Sequence, residues 1–117
     1  MKQRNLTIGV GLLVLVISSF AQQMDGRALY QQNCAACHGD TGKGGSGPIK
    51  GPRLVGDASN WNSKLFARAV LEGVDDGGRK LKSGMPHWKN SSFQQDAGKP
   101  PTVAEVEAIH KYLRTVK

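Results

Sequence analysis

The chain begins with polar residues and then runs apolar from Leu6 to Ala21, interrupted by Thr7, Gly9, Gly11, Ser18 and Ser19. Beyond that run, three stretches carry helical periodicity. Asp25 to Asn33 predicts a short first helix, with Gly26, Leu29 and Tyr30 at i, i+3 and i+4 on one face and Asp25 at the positive end. Asn62 to Glu72 predicts a second. Leu65, Phe66, Ala69 and Val70 form its buried stripe with Leu71 at the edge, Asn62 or Ser63 caps it, and Gly73 ends it. The last helix is the best defined. Thr102-Val103-Ala104-Glu105 reads as a capping box after Pro101, and Val106, Ile109, Leu113 and Val116 follow on one apolar face. Tyr112 flanks that face. His110 only borders it and is read as a surface or helix-packing residue. Lys111, Arg114 and Lys117 suit the negative C-terminal end.

The intervening segments read as loops. Gly39 to Gly56 holds seven of the fifteen glycines together with Pro48 and Pro52, which leaves no regular element. Val74 to Lys82 is polar and charged. Lys89 to Pro101 reads as a second, linker-like loop, and the sequon Asn90-Ser91-Ser92 within it is an accident of composition. No alternating strand pattern appears, so the expected class is all-α: three main helices and glycine-rich loops.

The chemistry is concentrated in Cys34-Ala35-Ala36-Cys37-His38, a C-x-x-C-H run, the attachment signature of a c-type haem. Residues three apart on a helix share a face, so both thiols reach one edge of a single porphyrin, and His38 follows as proximal ligand. A thioredoxin-like pair would need alternating strands and helices, which are not seen. A zinc site would need a second ligand pair, and His87 and His110 are too far apart in sequence to provide it. A ligating histidine donates its second ring N–H to a carbonyl, and Pro52 is the candidate acceptor for His38, with Pro48 as its rival. Met85, in Gly84-Met85-Pro86, is the candidate sixth ligand. His87, His110 and Met24 are the others, and Pro86 stiffens the chain so that presenting Met85 turns His87 away. The indole N–H of Trp61 is a candidate partner for a haem propionate, and Trp88 is expected to shield the Met85 side. Gly42 to Gly47 matches a G-x-G-x-x-G pattern, but no strand precedes it and the prolines forbid the helix a dinucleotide site requires. These glycines are expected to let the backbone wrap closely around a flat cofactor.

The apolar start then acquires an address. Lys2 and Arg4 precede it and Ser19-Phe20-Ala21 closes it, the layout of an export signal cleaved after Ala21. Sixteen helical residues span about 24 Å, short of the roughly 30 Å hydrocarbon core, which disfavours the alternative of a retained anchor. The expected organisation is a signal peptide over 1–21 and one domain over 22–117, located in the periplasm. Such a short domain leans on a cofactor for its core. The full chain has net charge +7. Removing Lys2 and Arg4 leaves 14 basic against 9 acidic residues, a net of +5. That excess suits redox partners with acidic docking surfaces, while export argues against nucleic acid.

Taken together, Cys34 to Gly39, Gly51-Pro52-Arg53-Leu54, Gly84-Met85-Pro86 and Ile109 to Leu113 resemble a class I mono-haem cytochrome c of the bacterial exported type. The resemblance spans nearly all of 22–117. It implies a small cytochrome c fold wrapped around one covalent haem c, with first and last helices crossing near Gly26, Tyr30 and Tyr112. It further implies a single-electron carrier rather than an enzyme, with iron held by His38 and Met85 in both oxidation states. The alternatives are a haem-based sensor with a displaceable sixth ligand, and a cytochrome subunit of a periplasmic dehydrogenase or oxidase. The segment from Lys89 to Pro101 is longer than the family leads one to expect, which makes it a candidate for partner specificity.

Overall fold

The structure is a computed structural model that describes Gly9, Gly11, residues 24–82 and residues 84–117. The export signal expected over residues 1–21 therefore lies, those two glycines apart, outside the described residues. Among the described residues there are four α-helices: α1 (Gly26–Asn33), α2 (Ala35–His38), α3 (Ser63–Glu72) and α4 (Val103–Thr115). Short 3₁₀ turns lie at Ala58–Asn60, Trp88–Asn90 and Gln94–Asp96. The one β feature is an isolated antiparallel bridge between Val74 and Lys80. The all-α class is borne out.

The helix ends are set by local side chains. Asp25 stands just outside α1 and its Oδ1 accepts from the Ala28 N–H at 3.1 Å. Asn62, not Ser63, caps α3, accepting from the Leu65 N–H at 2.9 Å. Gly73 ends α3 at φ 69°, ψ 38°, a left-handed turn that favours glycine. At α4 the capping box is complete: Thr102 Oγ1 accepts from the Glu105 N–H at 3.1 Å, and Glu105 Oε1 accepts from the Thr102 N–H at 2.9 Å.

These helices meet around Tyr30, Val106, Ile109 and Leu113, all essentially inaccessible to solvent. α1 crosses α4 where Gly26 lies on the Ala108 peptide; a Cβ there would stand 2.5 Å from the Ala108 carbonyl carbon. Tyr30 and Tyr112 follow along the same crossing, with ring centroids 5.6 Å apart. The expected junction of first and last helices is the one observed.

Of the two readings of His110, surface or helix-packing, the second holds: it is 2% exposed and stacks on Phe66 with centroids 4.4 Å apart and planes at 20°. The apolar face of α4 is wider than its aliphatic stripe, because α3 and the Ala58–Asn60 turn cover its flank as well. The segment from Lys89 to Pro101 is not a free linker. Phe93 is buried to 1% exposure, and the Gln94 N–H donates to Asn33 Oδ1 at 3.0 Å, pinning the segment to α1. Burying an aromatic ring of this size contributes roughly 1.5–3 kcal/mol, enough to hold a polar stretch in place.

Candidate functional site

Cys34 terminates α1, its N–H donating to the Tyr30 carbonyl at 2.8 Å, and α2 begins at the next residue. The Cys37 and His38 N–H groups both donate to the Cys34 carbonyl, at 3.2 and 3.0 Å. This single turn places the two thiols and the imidazole in one compact unit. Both thiols are free, and the Cys34 thiol is pushed up to about 12, by burial first and then by the neighbouring Cys37. Among the described residues no further histidine, cysteine or carboxylate clusters with the pair to hold a zinc ion.

His38 is 8% exposed, and its Nδ1 lies 2.9 Å from the Pro52 carbonyl oxygen. A carbonyl only accepts, so Nδ1 carries the proton and Nε2 keeps its lone pair for a metal. Pro52 reaches this position because the glycine loop folds back on the Cys turn. The Gly51 N–H donates to the Cys37 carbonyl at 2.6 Å and the Gly44 N–H to the His38 carbonyl at 2.9 Å. A Cβ on Gly51 would stand 2.6 Å from the Cys37 oxygen and 2.8 Å from His38 Nδ1, so only glycine permits that approach. Gly45 and Gly51 therefore allow close approach to the Cys turn's own backbone at the Cys37 carbonyl. Tyr30 anchors the same loop by donating its hydroxyl proton to the Gly39 carbonyl, and burial followed by the nearby Cys34 raises its pKa.

The four candidates for the sixth position occupy distinct places. Met85 is half-buried and packs against the core together with Cys34, Leu54, Trp61, Leu71 and Trp88. His87 is exposed, its ring lying over Gly73 at the end of α3. His110 is enclosed between α3 and α4, and Met24 is 46% exposed ahead of α1. Trp61 is half-buried, and its carbonyl accepts from Arg114 Nη2 at 3.0 Å, while Arg114 Nε donates to the Ser59 carbonyl at 3.1 Å. α4 thus fixes the turn that carries Trp61. Sequence reasoning missed Asn33, Phe93 and Arg114. A lone aromatic in the polar run Asn90 to Gly98 was the one signal available for Phe93.

Residues 21–113 match the family model of cytochrome c oxidase, cbb3-type, subunit III. The chain belongs to that family. It is a mono-haem cytochrome c of class I, a protein of electron transport, and its cofactor is a covalently bound haem c with iron. The cytochrome resembles the c-type cytochrome XoxG from Methylobacterium extorquens AM1 in fold, with 20% identity and a TM-score of 0.51. That match covers 78% of this chain and 47% of the other, so the cytochrome spans about half the length of XoxG. The c-type cytochrome NirC matches with 24% identity and a TM-score of 0.49, over 79% of this chain and 87% of its own. The sulfane dehydrogenase SoxCD from Paracoccus pantotrophus matches with 23% identity and a TM-score of 0.34, over 76% and 40% of the respective chains. No curated protein matches the cytochrome in sequence.

Proposed function

We propose that this cytochrome is a single-electron carrier whose haem c is attached through Cys34 and Cys37 and held axially by His38 and Met85. The observation that carries the reading is the commitment of His38 Nδ1 to the Pro52 carbonyl at 2.9 Å, directly after the Cys pair. It orients the imidazole, raises its basicity and leaves Nε2 as the only free donor on the ring. When bound, the haem supplies an iron that holds or releases one electron. The chain's own residues do the rest. Cys34 and Cys37 form the thioethers, Met85 offers a neutral sulfur that favours the reduced state, and Trp88 and Leu71 keep water from that side. The indole N–H of Trp61 is assigned to a propionate. No residue is required as acid, base or nucleophile, so the cytochrome carries electrons without catalysing a reaction.

The working location is the periplasm, after export and cleavage behind Ala21, and the domain is residues 22–117. Lys80, Lys82 and Lys89 are exposed around the Met85 turn, which suits a partner with an acidic docking face. A second reading is favoured by the family's description: the cytochrome as one subunit of a larger membrane-bound redox complex.

Three measurements test the assignment. Acid-acetone extraction leaves the colour with the protein if the haem is attached by thioethers, and removes it if no covalent bond exists. The ferric protein shows the weak red absorption of sulfur-to-iron charge transfer, Met85→Ala abolishes it, and His87→Ala leaves it intact. Rapid carbon monoxide binding by the unmutated ferrous protein would replace Met85 ligation with an open site and put the sensor reading first.

A further inference from the structure

The turn that bears Met85 is anchored on both flanks. On its N-terminal side, the Leu81 N–H donates to the Gly73 carbonyl at 2.8 Å, and Gly84, at φ 116°, has nothing within 4 Å of where a Cβ would stand. On its C-terminal side, a continuous set of bonded and packed groups leads back to the Cys pair. The Asn90 N–H donates to the His87 carbonyl at 2.9 Å, closing the turn that begins at Trp88. Trp88 meets Phe93 edge-on, with centroids 4.8 Å apart and planes at 67°. Phe93 is fixed in the core, and its neighbour Gln94 donates its N–H to Asn33 Oδ1 at 3.0 Å. Asn33 Nδ2 donates in turn to the Gln95 side-chain oxygen at 3.0 Å and to the Leu29 carbonyl at 2.9 Å. With its oxygen and nitrogen both engaged, only one orientation of the Asn33 amide satisfies its partners. Asn33 is the residue before Cys34.

We propose that Asn33 and Phe93 are positioning residues for Met85: they strap the turn bearing the sulfur to the helix that presents Cys34. The proposal rests on Met85 being the sixth ligand. A thioether binds ferric iron weakly, so the occupancy of the sixth position is set by how readily the surrounding turn opens. Local opening must break the contacts that hold the segment, here the Trp88–Phe93 packing and the Asn33 hydrogen bonds. Removing either raises the population of the open form while the Cys turn and the His38–Pro52 bond stay as they are.

The experiment is imidazole binding to the purified ferric holoprotein, followed by loss of the red sulfur-to-iron band. Asn33→Ala and Phe93→Ala should each raise the apparent affinity for imidazole about tenfold, with the haem still covalently attached. Phe93→Leu, which refills most of the volume, should return most of that change. Leu113→Ala truncates an equally buried side chain of the same core, which packs beside Gly42 and is not one of the strap's bonded or stacked partners. It should lower the melting temperature while leaving imidazole affinity within about twofold, as for uncoupled sites. Unchanged affinity in Asn33→Ala and Phe93→Ala overturns the proposal, as does an equal rise in Leu113→Ala. If Phe93→Ala does not accumulate as holoprotein, Asn33→Ala, a half-buried side chain at a helix end, carries the test. A wild-type protein lacking the red band removes Met85 ligation itself. A band present in wild type and insensitive to both variants removes only the strap.

Discussion

Replacing Gly26 by alanine places one methyl group into the contact between α1 and α4. The ideal Cβ falls 2.5 Å from the Ala108 carbonyl carbon and 3.2 Å from the Ile109 nitrogen, and closer still to the Ala108 oxygen. All three are helix backbone, which cannot rotate aside as a side chain would. α1 must therefore move away from α4, and the contacts of Leu29, Tyr30, Ile109 and Leu113 loosen together. Overpacking of this kind costs about 1–3 kcal/mol. Alanine's better helix propensity offsets up to about 1 kcal/mol, and less at the first helical residue. The expected net loss is about 1–2 kcal/mol, and each 1 kcal/mol lowers the melting temperature of a domain this size by roughly 4–8 °C. Chemical denaturation of the holoprotein reads the same change as a lower midpoint at constant slope. Gly47 provides the comparison, because its Cβ would come no nearer than 3.8 Å to any atom, the Ala36 oxygen. Gly47→Ala should be neutral or stabilise by up to about 1 kcal/mol through the unfolded chain. A Gly26→Ala protein as stable as wild type, or a Gly47→Ala protein that loses as much, would refute the reasoning.

His110 is buried against Phe66, its Nε2 has no hydrogen-bond partner among the described residues, and burial followed by the charge of Arg114 lowers its pKa. The carbonyls of Ala58, Ser59 and Trp61 oppose that lowering without reversing it. The unfolded chain then binds the proton more readily than the fold, so stability is full above the ordinary value of about 6.5 and falls as pH drops below it. The slope is at most about 1.36 kcal/mol per pH unit, and His110→Gln should remove this component from unfolding curves taken between pH 7 and 5. Thr102→Ala deletes both hydroxyl contacts to Glu105 and should cost about 1 kcal/mol in denaturation midpoint, while Thr102→Ser costs far less. The rate of electron exchange with the physiological partner should fall as ionic strength rises, because the Debye length shrinks from about 10 Å at 0.1 M to about 3 Å at 1 M. A rate that rises with salt would remove the acidic docking face.

Most of what is local in this cytochrome was legible in the order of its residues. Asp25, Asn62 and Thr102 announce helix starts because a short polar side chain satisfies a backbone N–H two or three positions on, within the same segment. The Cys34–His38 run was legible because its chemistry needs particular residue types, and the Gly26–Tyr112 crossing was legible through the family resemblance. The burial of His110 and of Phe93 was not legible, for the opposite reason. One looked like the polar border of a stripe and the other sat alone in a polar loop, and their burial depends on α3, α4 and the Cys pair's own helix arriving from elsewhere in the chain. The same holds for Gly45 and Gly51 of the first loop, which lie against the backbone of Cys37, and for Asn33, whose amide is answered by residues some sixty positions away. A capping bond is decided by a few adjacent dihedrals. A buried ring or a bridging amide is decided by which distant surfaces close over it, and only the assembled tertiary structure specifies that.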